Sequence, residues 1–259
     1  MNPSPFSAFS STNANTQTGY FTRPVALSAV MRQVYLWLAM GLAICFGIAF
    51  AIGHEVQREL ATAQSIADLR VTTSLFNPVV MLIGIIAYIG IGIAFFPIVQ
   101  RASVRVGATL YFVFAAIFGF MTSTAFLQYS TGTILSAFLV TGGMFAAMSL
   151  IGYTTRIDLS RFGAILFMGL IGIIIASLVN FFLHSEAVYW LITYAGVLLF
   201  AGLTAYDTQW IKRTAASASL SGSAQTETRV ALQGAFKLFL DFVNLFWFIL
   251  RILGRSGRN

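Results

Sequence analysis

The stretch ALQGAFKLFLDFVNLFWFILRILG, residues 231 to 254, is the one around which the rest of the chain is organised. It is mostly apolar and exceeds the roughly 20 residues a helix needs to cross a bilayer. Yet it carries Lys237, Asp241 and Asn244 on one helical face. A carboxylate at membrane depth costs about 2.5 to 3.5 kcal/mol on insertion scales, so Asp241 calls for a polar partner. Asp207, thirty-four positions earlier in LFAGLTAYDTQWIKR, is the natural one. Of the eight acidic residues, Glu55, Glu59, Asp68, Asp158, Glu186 and Glu227 fall in predicted loops, leaving Asp207 and Asp241 in predicted helix.

The remaining composition agrees with a bilayer as solvent. Only 9% of the 259 residues are charged and 58% are hydrophobic, whereas a soluble domain carries about a quarter charged residues. The net charge of +7 does not point to nucleic acid, because the fifteen Lys and Arg are scattered between apolar blocks instead of forming one basic face. The single cysteine, Cys45, has no partner for an intramolecular disulfide and reads as packing. Residues 1–30 are rich in Ser, Thr and Asn and lack the apolar core of a signal peptide, so they read as a disordered cytoplasmic tail.

Seven apolar segments follow, predicting an all-α seven-transmembrane helix bundle over 31–254 and a short C-terminal tail at 255–259. The spans are 34–53, 78–99, 106–127, 134–155, 162–183, 187–210 and 231–254. Pro97 falls near the end of the second, where a kink or break is tolerated. The fourth is rich in Gly, Ala and Ser, which allow close helix approach in lipid, and is expected to be buried in the bundle. Ser160, in the turn RIDLSR, is a candidate cap for the helix after it. TAASASLSGSAQTET, between spans six and seven, reads as a flexible loop.

Orientation follows from the basic residues. Arg23, Arg32, Arg101, Arg105, Arg156, Arg161, Lys212, Arg213 and Arg229 collect on one side of the first six spans; Arg58 and Arg70 are on the other. That asymmetry places the N-terminus in the cytoplasm. A complete seventh crossing then puts Arg251, Arg255 and Arg258 outside, against the rule, but the apolar run of residues 231–254 is long enough to cross.

Asp207 and Asp241 both fall in the cytoplasmic half, so contact is sterically feasible. Two carboxylates that meet in low dielectric cannot both ionise freely and titrate as a unit, which makes the pair a proton sensor and a cation site. The competing structural reading is that Lys237, one turn before Asp241, neutralises it within the helix, with Asp207 solvated at the interface. His54 with Glu55, and His184 with Glu186, lack the spacing of a metal site and read as loop residues. No nucleophile with an adjacent base is visible, so an enzyme is not expected.

AYDTQWIK at the end of span six and LFLDFVNLFWFILRILG in span seven resemble the Bax inhibitor family (transmembrane Bax inhibitor motif), as does DLS leading into FGAILFMGLIG. The compact loops and polar tail look like a bacterial inner-membrane member. The resemblance implies a seven-helix bundle with the last helix central, acting as a pH-sensitive calcium leak. Two hydrogen-bonded aspartates, matching Asp207 and Asp241, would form its sensor and transient calcium ligands. An arginine at the cytoplasmic end of helix two would contact the pair, and Arg101 is the match. Lys237 stands where a small or uncharged residue is expected, Tyr206 and Asn244 are supporting polar groups, and no cofactor is implied beyond calcium as the transported ion.

Two other functions compete. An intramembrane aspartyl protease also pairs aspartates on adjacent helices, but its Gly-x-Gly-Asp and Pro-Ala-Leu motifs are absent; here the second aspartate reads Phe239-Leu240-Asp241. A non-transporting regulator would bind another membrane protein, such as a membrane-bound ATP-dependent protease, through the N-terminal tail. Deleting residues 1–27 separates that reading from a leak.

Overall fold

A computed structural model describes residues 23–64, 70–220 and 223–256, all in helices or short turns. The elements are α1 (Arg23–Thr62), α2 (Arg70–Leu75), α3 (Pro78–Arg101), α4 (Val104–Thr122), α5 (Thr131–Thr154), α6 (Gly163–Leu183), α7 (Glu186–Leu220) and α8 (Ala224–Ser256), with 3₁₀ turns at Ser123–Leu127 and Leu159–Phe162. Six segments are long and apolar enough to cross a membrane, and they belong to α1, α3, α4, α5, α6 and α7. The first six predicted spans lie within them, except that the fourth runs one residue past the end of its helix at Thr154. The run 231–254 is helical too, within α8, but Lys237, Asp241, Asn244 and Arg251 interrupt its apolar character.

The helix ends are set locally. Asn77 caps α3 by accepting from the Val79 backbone N–H at 2.9 Å, with Pro78 at the first helical position, where its missing N–H costs nothing. Pro97 does not break α3, which runs on to Arg101. Ser130 caps α5 through the Thr133 N–H. In the turn after α5 the cap is Asp158, not Ser160. The Asp158 carboxylate accepts from both the N–H and the hydroxyl of Ser160, opening a 3₁₀ turn before α6 begins at Gly163. α6 ends at His184, which takes a left-handed conformation with φ 51°.

Three expected loops are shorter than predicted. From Arg23 the backbone is already helical, so the last residues of the expected tail belong to α1; residues 1–22 lie outside the described set. α1 continues past Gly53 to Thr62, which places His54 and Glu55 on helix instead of loop. The Ser/Ala-rich stretch after residue 213 is also helical, as α7 runs to Leu220 and α8 starts at Ala224. Its alanines explain the difference, because Ala215 and Ala218 are buried and tertiary packing outweighs the low-complexity signal.

Burial is uneven. α6 has no buried residue, and α3 buries only Phe95 and Val99. α5 is half-buried where a fully buried helix was expected: Thr141, Phe145 and Ser149 face inward, while Leu135, Leu139 and Leu150 are exposed. Its small residues serve one close approach, at Gly152, where a Cβ would run into the Ala205 backbone of α7. α8 is the most enclosed, packing on α1, α3, α4, α5 and α7. Phe236 stacks on Phe95 of α3 with ring centroids 3.8 Å apart, and Phe246 meets Phe46 of α1 edge-on at 5.0 Å. Between residues 231 and 251 the positions on α8 that are not fully buried are 233, 237, 240, 244, 247 and 251, a single stripe.

Candidate functional site

Four residues of that stripe, Lys237, Leu240, Asn244 and Arg251, line a cavity of about 810 Å³ between α3, α6, α7 and α8. α8 contributes Lys237, Asp241, Asn244 and Arg251, and α7 contributes Tyr206 and Asp207. The opposite wall is mostly apolar, with Tyr88 and Phe96 from α3 and Phe167, Leu170, Ile173 and Ser177 from α6. At 1.5 Å per residue, the fourteen-residue interval from Lys237 to Arg251 is about 21 Å along the axis, most of a hydrocarbon core. The charged residues of the cavity thus lie along the wall that α7 and α8 form.

Asp207 and Asp241 are both at its wall and almost fully buried, 6% and 4% exposed. Among the described residues no hydrogen bond joins the two carboxyl groups. Instead the Lys237 ammonium donates to Asp207 Oδ1 at 2.8 Å, while Asp241 Oδ2 is buried without a partner. Lys237 thus reaches across to α7, where the competing sequence reading had it neutralise Asp241 in its own helix and left Asp207 in solvent. The ammonium also lies 4.9 Å from the centre of the Trp210 ring, a cation–π contact that holds it from a second side. An unpaired buried polar group costs about 1–3 kcal/mol, and more when charged, which sets Asp241 apart from Asp207 with its ammonium partner.

The supporting residues fall as follows. Tyr206 lies over Gly163 at the start of α6, where a Cβ would meet its ring and hydroxyl. Asn244 donates back to the Leu240 carbonyl at 2.8 Å, which leaves its side-chain oxygen as an acceptor. Arg101 is not brought to the site: it is exposed at the end of α3, does not line the cavity, and has no ion pair with either aspartate among the described residues. The end of α3 is held instead by Arg229 of α8, which donates to the Gln100 and Ala102 carbonyls at 2.9 and 2.8 Å, as a cation at a helix C-terminus does.

Sequence reasoning missed two groups. Arg251 was counted only among the charges that a seventh crossing leaves outside the membrane, yet it lines the cavity, 5.4 Å from the centres of the Tyr189 and Phe248 rings. Its signal was spacing, since 237, 241, 244 and 251 fall on one helical face. The second is a clamp just past Asp207. Gln209 donates to the Ile157 carbonyl and accepts from the Leu159 N–H, both at 2.8 Å, and Lys212 donates to the Tyr153 carbonyl at 2.7 Å. Arg213 pairs with Asp158 at 2.6 Å. These bonds lock the α5–α6 turn onto α7. The hydrogen bonds from Ser160, then the Arg213 guanidinium, hold the Asp158 carboxyl down at about 2.

Comparison with known proteins gives these features a context. Residues 27–258 match the family described as "Inhibitor of apoptosis-promoting Bax1". The chain is 42% identical over 229 residues to the inner membrane protein YbhL of Escherichia coli (strain K12), covering 88% of this chain and 92% of that one. A protein of Borreliella burgdorferi is 36% identical over 218 residues, covering 84% and 93%. One from Deinococcus radiodurans is 35% identical over 223 residues, covering 86% and 88%. By these matches, which run through almost every described helix, the chain belongs to the Bax inhibitor family.

Proposed function

We propose that the protein is a proton-sensitive cation leak of a bacterial inner membrane, with Asp207 and Asp241 as the groups that read protons. In this reading α8 is a seventh, central crossing and the N-terminus is cytoplasmic. Support for the crossing comes from the far end of α8, where Arg255 lies over the Trp190 ring at 4.6 Å and 3.9 Å from Glu186 at the start of α7. α8 therefore runs antiparallel along the whole of α7. Support for the membrane comes from YbhL, which is named as an inner membrane protein.

The observation that carries the leak is Asp241, a buried carboxyl with an unpartnered oxygen on a cavity whose α8 residues span about 21 Å of the helix axis. The charged residues that share the cavity wall with it are Asp207 of α7 and Lys237 and Arg251 of α8, and Tyr88 of α3, Ser177 of α6 and Tyr206 of α7 also line the space. With one carboxylate already on an ammonium, the other takes a proton or a passing cation, and that exchange couples flux to pH. Weak, exchangeable binding is what conduction requires.

Calcium is the transported ion that the family resemblance puts first. In proteoliposomes, the wild type should show cation flux that changes with pH, and Asp241→Asn should make it pH-independent. Unchanged pH dependence in that variant would remove Asp241 from the sensor.

A further inference from the structure

We propose that Lys237 is a tethered counter-cation that leaves room for one further positive charge, so that Asp241 accepts a single monovalent cation and calcium is disfavoured. The proposal rests on the cation-leak reading of this site and names its ligand class.

Three observations carry it. The Lys237 ammonium already occupies Asp207, at 2.8 Å from Oδ1, and the Trp210 ring holds it there. A soluble small cation at the same carboxylate would have to displace a group whose local concentration is fixed by the backbone. Second, the charges on this part of the wall are Asp207, Asp241 and Lys237, a net of one negative charge when all are ionised. The other cavity charge, Arg251, stands ten residues further along α8, about 15 Å away on the helix axis. Third, the free acceptors match a small demand. Asp241 Oδ2 is unpartnered, and the Asn244 side-chain oxygen, one turn on, is left over from its bond to Leu240. Calcium takes six to eight oxygens and is tuned chiefly by the number of charged ligands. Among the described residues no three His, Cys, Asp or Glu side chains come together to supply them.

Removing the tethered charge should therefore create a divalent site. With Lys237→Met the wall carries two negative charges; with Asp207→Asn plus Lys237→Met it returns to one. The purified full-length protein is titrated with terbium, exciting tryptophan, since Trp210 sits beside the ammonium, and bound terbium is displaced with calcium. Potassium and calcium fluxes are measured in parallel in proteoliposomes.

The wild type should pass potassium well ahead of calcium and show no calcium-displaceable terbium signal. Lys237→Met should gain that signal, with calcium binding tightened about tenfold or more, as expected for a unit charge removed a few ångströms away. The double variant should lose it again. Calcium binding to the wild type as tight as to Lys237→Met, or a double variant behaving like the single, would overturn the proposal. Binding that follows the charge count without flux in any variant would reject the leak and keep the charge rule. Should Lys237→Met fail to fold, Asp207→Asn alone frees Lys237 to pair with Asp241 and should abolish potassium flux; retained flux is again a refutation.

Discussion

At the scale of single residues, several charges at and near the site are held by partners, while Asp241 keeps a buried oxygen with none among the described residues. Asp207 has Lys237, Asp158 has Arg213, and Arg229 has two helix-end carbonyls. Asp158 offers a test outside the membrane. Its folded value lies below the ordinary carboxylate range, so its contribution to the α5–α6 turn is fully present above about pH 4 and is lost as pH falls through about 2. Hydrogen-exchange protection over residues 155–162, relative to the unstructured rate at each pH, should fall across that window in the wild type. In Asp158→Asn it should already be lower at neutral pH and show no such fall in acid. The Asp207–Lys237 pair was legible in principle and was not read. The two residues lie at equal distances from residue 222, but taking the Ser/Ala stretch as a loop hid that symmetry. What no spacing rule could supply is the lysine rotamer, pointing across to α7 and not along its own helix.

At the scale of helices, close packing is concentrated at a few glycines. The Gly152–Ala205 approach joins α5 to α7, and Gly119 of α4 backs onto the Cys45 carbonyl of α1, so a Cβ at either site meets backbone that cannot yield cheaply. Gly152→Ala should cost about 1–3 kcal/mol of stability in detergent unfolding, the usual range for overpacking. Gly142→Ala on the same helix meets open space and should be close to neutral. Length and hydropathy were enough to locate six helices that can cross, because apolar runs bounded by charge are a strong signal. They did not reveal which faces turn inward. Glycine content made α5 look buried, whereas only one of its faces is. On α8, by contrast, the three polar residues that share one face all line the cavity.

For the whole molecule, one basic end and one weakly charged end follow from the same segments that build the site. The N-terminus-in orientation predicts that a cysteine at position 224 is labelled from the cytoplasm and one at position 254 from the opposite side. Cys45, the single native cysteine, is fully buried and should leave the background silent. Labelling of both positions from one side would mean that α8 does not cross. The cavity was not readable from sequence, since its mostly apolar wall is made by α3 and α6, two helices that look like any lipid-facing span. Their shallow packing, with α6 burying no residue, is what leaves the space open beside α8.

The pairing of Asp207 with Lys237 also bears on how the protein enters the bilayer. Asp207 lies thirteen residues before Leu220 and Lys237 thirteen after Ala224, so the two stand at matching depth on either arm of the α7–α8 hairpin. Inserted singly, each arm would carry a bare charge into hydrocarbon; folded together first, the hairpin presents a neutral pair. Biogenesis should then proceed by concerted entry of the last two helices, and a ribosome-bound chain ending before residue 237 should leave α7 waiting at the translocation machinery instead of released into lipid.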